Sequence, residues 1–411
     1  MNLPILSVPE ELELLCRPYE SLFSKPQFLQ FERFITALTV SNEANIEALS
    51  EGYRMSQSYD RLHHFVTESP WDVNDVLERN VSVIKELPSD RSFSQDGCLL
   101  IDDTLIEKFG EHMAAVGKLY DHAESRYMEY AHCLLGLIYA NHKQLRYPLK
   151  FELYRKEDDC IKEGLEFKTK ITFAKEMVSW AVEQGIPFQT VLFDSWFFTA
   201  ELVDHIESLG KDWISMSKSD RIMTHEGKHT NLQEYAKTLN PETLPEVRVE
   251  EKTYHQKSIQ TSFKCLKRNL ERIRLVVSYE KKDDGSFKTP VFLVSNRKDI
   301  RPERLIRAYQ IRWSIETFFR DSKSELGLGE YQMRGLKGIK SHWCLVFTSA
   351  VLLELIRSKE CSEKGLTRAD LSVGSLRQRA WGRSLRSVIE WCVKLHGQGI
   401  QAKELCAMLK V

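Results

Sequence analysis

Two short apolar runs in this chain each end in an aspartate. Residues 99–101 precede Asp102, and residues 191–193 precede Asp194. Short apolar runs bounded by polar turns predict buried β-strands. A carboxylate at the end of a buried strand faces a low dielectric on one side, so its ionised form is costly unless a partner accompanies it. The fold must therefore bring partners to both acids, and one simple partner is the backbone of a following helix, which an aspartate can cap.

The elements predicted around these two runs occur in the order of an RNase H-like α/β sheet. Apolar patterning predicts strands at 98–104, 130–140, 147–154, 187–195 and 212–218, with an amphipathic helix at 167–185. The mixed-charge segment 120–132 is expected to be a surface loop that enters the second strand. Three strands, a helix and two further strands, followed by late helices, are the order expected of this sheet.

Composition argues against several classes of protein. The formal net charge is −1, although residues 297–340 carry eleven Lys and Arg against six Asp and Glu. The nine cysteines include no C-x-x-C pair, which argues against a structural zinc site and suits a reducing cytoplasm. The N-terminus has neither the basic region nor the cleavage site of a signal peptide. The most apolar segment, about 15 residues from His342, predicts a buried core helix rather than a membrane span.

Residues 301–329 predict one continuous helix with a narrow stripe of functional side chains. The stripe consists of Tyr309, Arg312, Glu316 and Lys323. Their offsets of 0, 3, 7 and 14 positions place them within roughly 60° of one another on a helix of 3.6 residues per turn. The simplest interpretation is a set of intrahelical ion pairs, each worth a few tenths of a kcal/mol. That interpretation does not explain why two strand-end acids occur in the same chain.

A shared metal site would explain the three acids together. Asp102, Asp194 and Glu316 would repel one another at one sheet edge unless cations neutralised them. Two magnesium ions about 3.5–4 Å apart would do so, and they would support phosphodiester hydrolysis and transfer. The arginine and lysine of the stripe would then face phosphates. Its tyrosine would donate to a phosphate oxygen or stack on a sugar or base.

The stripe resembles a known signature. Its spacing, Tyr-x2-Arg-x3-Glu-x6-Lys, resembles that of cut-and-paste DNA transposases of the insertion sequence 4 superfamily. The string IDDT at 101–104 is similar to the first-acid motif of that family, Asp-x-Thr, and FDSWF at 193–197 is similar to its second. The resemblance covers about residues 95–340, and the early helices also look like those of related members.

The resemblance implies a bacterial insertion-sequence transposase with an RNase H-like core, a Mg²⁺-dependent DNA endonuclease and strand transferase. Such an enzyme would bind terminal inverted repeats as a homodimer, cleave the element ends and join their 3′ ends to target DNA. It would act in the cytoplasm, on the nucleoid, without a membrane. Carried over residue by residue, the catalytic metal ligands are Asp102, Asp194 and Glu316, and Mn²⁺ would substitute for Mg²⁺. The DNA contacts are Tyr309, Arg312 and Lys323, with Trp313 and Arg320 on the same helix.

The resemblance also divides the 411 residues, which exceed what one hydrophobic core usually organises. A helical N-terminal domain at 1–94 is expected to bind DNA, although the sequence alone suits a packing scaffold equally well. An RNase H-like catalytic domain is expected at 95–218 and 291–360, interrupted by a β-rich insertion at 219–290. Residues 361–411 are expected to form a helical C-terminal region.

Two details of the active site stay open. Asp103 is an alternative first acid, although Asp102 keeps the Asp-x-Thr spacing, and neighbours on an ideal strand face opposite sides. Relatives that seal the DNA end as a hairpin hold a flipped base against a tryptophan of the β insertion. This chain has Phe292 near that position and Trp213 at the other end of the insertion, which argues against the hairpin route.

Other functions also stay open. The same acids would serve an RNase H-like nuclease without strand transfer, and a non-catalytic DNA-binding relative would keep the fold. A purely structural role would make the acids caps and ion pairs. A cationic segment of the C-terminal region predicts either a phosphate-binding patch or a solvated helix face. It consists of Arg377, Arg379, Arg383 and Arg386 beside Trp381.

Overall fold

One mixed β-sheet of twelve strands organises the part of the chain that the structure describes. The structure is a computed structural model and describes residues 5–41, 43–53, 59–122, 124–264 and 269–409. A continuous hydrophobic core runs from Ile5 near the N-terminus to Leu376 in the C-terminal region. The N-terminal helices therefore share their apolar interior with the sheet.

The N-terminal region is helical, as the periodicity of its apolar residues predicts. Its elements are α1 (Glu10–Cys16), a 3₁₀ helix (Arg17–Leu22), α2 (Lys25–Val40), α3 (Ile46–Gly52), α4 (Tyr59–Thr67) and α5 (Val73–Lys85). Asp72 caps α5, because its carboxylate accepts hydrogen bonds from the backbone N–H groups of Asn74 at 2.6 Å and Asp75 at 3.4 Å.

The next part of the chain forms the centre of the sheet. Its elements are β1 (Cys98–Glu107), β2 (Gly117–Asp121), β3 (Arg126–Ala140), β4 (Arg146–Tyr154), α6 (Glu157–Lys162), α7 (Lys170–Glu183), β5 (Thr190–Phe193), α8 (Ala200–Ser208) and β6 (Asp212–Met216). Across the sheet the strands lie in the order β4–β3–β1–β5–β6. Strand β3 is antiparallel to β4 and β1, whereas β1, β5 and β6 are parallel to one another. Along the chain, the strands predicted at 98–104, 130–140, 147–154, 187–195 and 212–218 correspond to β1, β3, β4, β5 and β6.

The segment 120–132 is not the loop that was expected. It belongs to a β-hairpin in which Tyr120 pairs with Tyr127 and Asp121 pairs with Arg126. The two tyrosine rings pack edge to face with centroids 4.9 Å apart. The prediction was wrong because the charged and polar side chains of the segment show no apolar alternation. These side chains pair across the two strands of the hairpin and do not form a buried apolar face.

Strands of the predicted β insertion continue the central sheet. The elements are β7 (Ile222–His225), β8 (Lys228–Asn231), α9 (Leu232–Lys237), a 3₁₀ turn (Pro241–Thr243), β9 (Glu246–Val249), β10 (Lys252–Phe263), β11 (Leu270–Glu280) and β12 (Val291–Ser295). Strand β12 is antiparallel to β6 on one side and to β11 on the other. The β-rich character expected of 219–290 is therefore present, and β12 joins it edge to edge with the core strands.

The remaining elements are helices. They are α10 (Pro302–Gln310), α11 (Trp313–Glu325), α12 (Leu336–Lys364), a 3₁₀ turn (Arg368–Asp370), α13 (Val373–Gly397) and α14 (Ala402–Leu409). The continuous helix predicted for 301–329 is wrong, because it breaks between α10 and α11. There the N–H groups of Ile311 and Arg312 bond to carbonyl oxygens three residues earlier, at 3.2 and 3.0 Å. This tight 3₁₀-type turn interrupts the α-helical hydrogen bonds without glycine or proline, while residues 311 and 312 keep right-handed helical dihedrals.

Helix α12 is the central helix of the core. By length and composition it could cross a membrane, yet 89% of its most apolar stretch is buried inside the protein. Its 29 residues also exceed the segment predicted from His342. Asn80 of α5 donates to Thr348 Oγ1 of α12 at 3.2 Å and accepts from the hydroxyl of Tyr19 at 2.6 Å. This buried chain ties the N-terminal helices to α12.

Three arginines of the cationic segment of α13 form ion pairs with other helices. Arg377 pairs with Glu325 at 2.9 Å, Arg379 pairs with Glu360 at 2.5 Å, and Arg383 contacts a carboxylate oxygen of Glu11. These partners lie far away in sequence, so the three arginines tie α13 to the rest of the protein. All but Arg377 are exposed, as are Arg386 and Trp381, which agrees with a solvated helix face. Phosphate binding by this segment stays a prediction.

The burial of His342 generates a prediction for stability against pH. Its Nε2 lies 2.9 Å from the carbonyl oxygen of Gly327, and burial lowers the pKa of His342 to about 4. An unfolded chain takes up this proton near pH 6.5. The histidine therefore contributes fully above about pH 6.5, and its contribution is lost as the pH falls towards 4.

We expect His342→Gln to flatten the pH dependence of the free energy of unfolding. The glutamine amide can still donate to Gly327, but it does not titrate, so the difference should reach on the order of 3 kcal/mol between pH 6.5 and 4. Urea unfolding of both proteins across this interval measures the effect. Parallel curves for the two proteins would contradict the buried neutral state of His342.

Candidate active site

Asp102 and Asp194 lie side by side where the pairing between β1 and β5 ends. Strands β1 and β5 are parallel, and Ile101 pairs with Phe193 in their register. Asp102 and Asp194 each follow one of these paired residues and therefore occupy neighbouring positions. Asp194 directly follows its strand, as the apolar run before it predicts, whereas Asp102 lies within β1, which continues to Glu107.

Asp194 does not cap the following helix, which was the alternative role that the sequence allowed. Its Oδ1 accepts hydrogen bonds from the backbone N–H groups of Trp196 at 2.9 Å and Phe197 at 3.2 Å. The cap stabilises the turn after β5 rather than α8, whose own N-cap is Thr199. The turn holds one oxygen of the carboxylate in place beside β1.

A buried arginine joins the first acid to the helix acid. Arg312 Nη1 lies 3.1 Å from Asp102 Oδ2, and Nη2 contacts Glu316 Oε1. Only 10% of the Arg312 side chain is exposed. The intrahelical pair of Arg312 with Glu316 is therefore present, as the simplest interpretation of the stripe predicts. The same guanidinium also reaches strand β1, which that interpretation does not explain.

Burial and mutual repulsion disfavour the ionised forms of the two strand acids. The pKa of Asp102 is raised to about 7, first by burial and then by Asp194, while Arg312 opposes the shift. Burial also raises the pKa of Asp194, against the hydrogen bonds from its own turn. Burial by itself would lower the pKa of Arg312, but Tyr309 and the two acids that it contacts raise it on balance.

The three acids fit a divalent metal by their chemistry. Carboxylate oxygens are the ligands that Mg²⁺ prefers, and three carboxylates around one guanidinium leave an excess of negative charge. In the described residues, however, no three His, Cys, Asp or Glu side chains are grouped closely enough to hold an ion. Arg312 lies between Asp102 and Glu316, so joint ligation by these two acids requires it to move away from one of them.

Asp103 has a different partner from Asp102. Its Oδ2 lies 2.8 Å from Lys170 Nζ of α7 and accepts a hydrogen bond from Cys133 Sγ at 3.3 Å. Burial lowers the pKa of Lys170, but Cys133 and Asp103 outweigh it and raise the pKa overall. A dedicated ammonium therefore neutralises Asp103, whereas Asp102 shares Arg312 with Glu316. This difference favours Asp102 as the first acid of the site.

The break between α10 and α11 sets the position of Tyr309. Residues three apart eclipse in a 3₁₀ turn, and the guanidinium carbon of Arg312 lies 5.6 Å from the centre of the Tyr309 ring. Tyr309 itself is buried. Its ring packs against the guanidinium of Arg312 and does not face solvent as a DNA contact would.

The other predicted DNA contacts differ in exposure. The Trp313 side chain is 61% exposed, and Arg320 is exposed beside Asp321, with 3.0 Å between Nη2 and Oδ1. Lys323 Nζ donates to the carbonyl oxygen of Leu105 at 2.8 Å, which fixes the end of α11 against β1. Trp313 and Arg320 are thus placed to meet a ligand, while Lys323 also has a structural role.

Two exposed aromatic residues, one after Asp194 and one beyond the end of β1, were not among the predicted site residues. Trp196, two residues after Asp194, is 44% exposed, and Lys170 Nζ lies 5.1 Å from its ring centre. Phe109 is 98% exposed just beyond β1, next to Lys108, whose Nζ lies 3.3 Å from the ring centre of Tyr331. The sequence signal for Trp196 was a large aromatic side chain two residues after Asp194.

The β extension offers no accessible aromatic at the positions considered for a flipped base. Phe292 of β12 is buried, and so is Trp213 of β6. The indole N–H of Trp213 donates to Glu207 Oε1 at 2.8 Å, which fixes the ring in the core. Neither residue can receive a base without a rearrangement of the sheet.

The register of β1 and β3 generates a prediction for the placement of α11. Gly136 pairs with Asp102, and a Cβ at Gly136 would lie 2.9 Å from Cζ of Phe319 on α11. Gly136→Ala should force Phe319 outwards and destabilise the protein by about 1–3 kcal/mol through overpacking. Chemical unfolding measures the change.

A glycine in open space supplies the matched control. At Gly382 of α13 a Cβ would meet nothing within 4 Å, so Gly382→Ala should stabilise the protein by about 0.5–1 kcal/mol. If Gly136→Ala were also neutral or stabilising, the close packing of α11 on β3 would be disproved.

Comparisons with known proteins agree with this geometry. The model of the DDE superfamily endonuclease family matches residues 30–271, a range that includes Asp102 and Asp194 and ends before Glu316. A protein of Microchaete diplosiphon, described as "Probable transposase for insertion sequence element IS701", is 22% identical over 341 residues. The similarity covers 77% of this chain and 80% of that relative.

The family match spans more than half of the chain and both strand-end acids. The family implies an RNase H-like core, and the strand order β4–β3–β1–β5–β6 is consistent with one. The chain therefore belongs to the DDE superfamily endonucleases.

Proposed function

We propose that this protein is an insertion-sequence transposase that cleaves DNA at the element ends and joins the 3′ ends to target DNA. One observation carries the proposal: Asp102, Arg312 and Glu316 form a half-buried junction beside Asp194, where the pairing between β1 and β5 ends. A purely structural ion pair would not need a third, adjacent acid whose charge raises the pKa of the first. The similarity to a protein described as a transposase supports strand transfer as the outcome.

Asp102, Asp194 and Glu316 are the proposed metal ligands and catalytic acids. Mg²⁺ held there, with Mn²⁺ as a substitute, would supply activation of the attacking oxygen and stabilisation of the leaving 3′ oxygen. Before metal arrives, Arg312 bridges Asp102 and Glu316 and keeps them oriented. The turn of Trp196 and Phe197 holds Asp194 through two backbone donors.

Arg312 has a second proposed role towards DNA. Its two terminal nitrogens contact Asp102 and Glu316, but its buried Nε has no hydrogen-bond partner among the described residues. When cations take over the two acids, the guanidinium fork becomes available to a phosphate, for which its geometry is suited. Arg312 would then bind the scissile phosphate only after metal ions have bound the two acids.

Exposed side chains around the acids form the proposed DNA contacts. Trp313 and Trp196 present aromatic surface on α11 and after β5, and Arg320 adds a cation on α11. Aromatic surface stacks on bases or sugars, and cations contact the phosphate backbone. We propose that duplex DNA, both terminal repeat and target, approaches across this face. Lys323 would contact the DNA once its hydrogen bond to the Leu105 carbonyl oxygen is broken.

The assembly follows from the chemistry of the reaction. Two element ends need two active sites, so we propose that a homodimer forms on the DNA. We also propose that the helical region 1–94 contributes to end binding and that the enzyme works in the bacterial cytoplasm.

Glu316→Gln tests the catalytic assignment. The substitution preserves the size of the side chain but removes a charged oxygen ligand, so end cleavage should fall by about a thousandfold or more. The measurement uses purified protein, a labelled duplex that carries the terminal repeat, and Mg²⁺ or Mn²⁺. Glu303→Gln is the matched control, because Glu303 lies on α10 in an exposed pair with Arg307 and should leave cleavage unchanged.

The same reaction distinguishes the rival functions. Joined products after addition of target DNA would support transposition, and cleavage without joining would point to a nuclease. If the wild-type protein binds the end and never cuts it with either metal, the catalytic proposal fails and a DNA-binding relative takes its place.

A further inference from the structure

A cavity of about 380 Å³ lies away from the acidic site. It is formed by the turn between β3 and β4, the C-terminal half of α12 and the 3₁₀ turn that contains Arg368. Gly136 of β3 lies opposite Asp102, whereas the cavity begins at His142, beyond the end of that strand. At about 3.3 Å per residue, the two places are about 20 Å apart along the chain direction. The cavity is therefore separate from the proposed catalytic centre.

Cations outnumber acids around this cavity. The charged side chains that line it are Arg91, Lys143, Arg357, Arg368, Asp90 and Glu354. A further arginine, Arg146, lies behind them and lines an adjoining pocket that also contains Glu354. The lining thus has four cations against two carboxylates, before Arg146 is included.

One buried carboxylate serves most of these arginines. Glu354 is only 4% exposed, and its two oxygens each lie 3.0 Å from a terminal nitrogen of Arg368. Arg357, which is buried, also contacts Glu354. Asp321 lines the adjoining pocket and its charge raises the pKa of both Arg146 and Arg368. Two acids, Glu354 and Asp321, therefore face three arginines at this place, and one positive charge is left without a counter-charge. The other acid, Asp90, is half exposed and 3.9 Å from Arg91 Nε.

Several donors at this place lack an acceptor. The Nε atoms of Arg91 and Arg146 are buried and have no hydrogen-bond partner among the described residues. Burial and the charge of Arg368 lower the pKa of Arg146 to about 10, and burial lowers the pKa of Arg368 to about 9. Arginine keeps its charge at neutral pH even so, and buried charges without counter-charges are strongly unfavourable. An anion in the cavity would supply an acceptor for Arg91 and a counter-charge for Arg357 and Arg368, all of which line it.

We propose that this cavity binds a phosphate group. Guanidinium forks match phosphate oxygens in geometry and charge, and the hydroxyl groups of Ser358 and Thr367 in the lining can donate further bonds. The volume is sufficient for a small ligand. The phosphate could belong to a DNA backbone or to a free phosphate compound, and both present the same oxygens. This inference does not depend on the proposed catalytic activity.

Isothermal titration of the full-length protein with inorganic phosphate, in metal-free buffer at constant ionic strength, tests the site. Arg91→Gln removes a cation whose Nε donates no hydrogen bond among the described residues. The substitution should raise the dissociation constant for phosphate about tenfold or more. Arg91→Lys should retain part of the affinity. Arg248→Gln is the matched control, because Arg248 is exposed on β9, outside the cavity, and should bind phosphate like the wild type.

A second variant guards against a folding defect. Lys143 is exposed at the rim of the cavity, so Lys143→Gln should fold normally and weaken phosphate binding by a smaller factor, about threefold. Thermal unfolding without phosphate verifies that each variant is folded. No phosphate binding by the wild type, or equal binding by Arg91→Gln, Lys143→Gln and the wild type, would overturn the proposal.

Duplex DNA in the same metal-free buffer identifies the source of the phosphate. The slope of the logarithm of DNA affinity against the logarithm of salt concentration reports the number of phosphate contacts. If Arg91→Gln weakens DNA binding and lowers this slope by the equivalent of about one contact, the cavity binds the DNA backbone. If DNA binding is unchanged while phosphate binding is lost, the site serves a free phosphate compound. Either pattern supports the site and assigns its ligand.

Discussion

The guanidinium of Arg312 is the contact on which the geometry of the acidic site depends. It connects Asp102 on β1 with Glu316 on α11, two residues that are 214 positions apart in sequence. Without this cation, two neighbouring strand acids would face a helix acid at low dielectric, and repulsion would oppose the docking of α11. The arginine therefore holds Asp102 and Glu316 together before any ion is bound, while the turn after β5 holds Asp194. Movement of the Arg312 side chain would free Asp102 and Glu316 to bind a metal ion.

The break that places Arg312 reflects the two halves of the sheet. Helix α10 packs on β6, β9 and β12, and Gln310 at its end donates to the hydroxyl of Tyr254 on β10 at 3.2 Å. Helix α11 packs on β1 and β4. The two helices thus pack on different strands, and the 3₁₀-type turn at residues 311–312 lies between these two sets of contacts. The β extension thus does more than interrupt the core, because it anchors the helix that leads to Arg312 and Glu316.

The sequence predicts the parts of this arrangement that local patterns encode. The apolar runs before Asp102 and Asp194 predict their strands, and the spacing of the stripe predicts that Arg312 meets Glu316. The turn at 311–312 has no glycine or proline, so its cause is tertiary packing, which no local pattern reports. The same holds for the hairpin at 117–131 and for Arg377, whose partner Glu325 lies 52 positions earlier. Long-range partners decide these cases, and a single sequence does not name them.

Arginine has opposite electrostatic roles at the two ends of this domain. At the acidic site one arginine serves an excess of carboxylates, so the remaining charge is negative and suits a metal cation. At the cavity beyond β3 the arginines outnumber the carboxylates, so the remaining charge is positive and suits an anion. The formal net charge of −1 averages these two regions and conceals both. A near-neutral sum therefore says little about affinity for a polyanion, because the local balance of buried charge determines what each end of the sheet can bind.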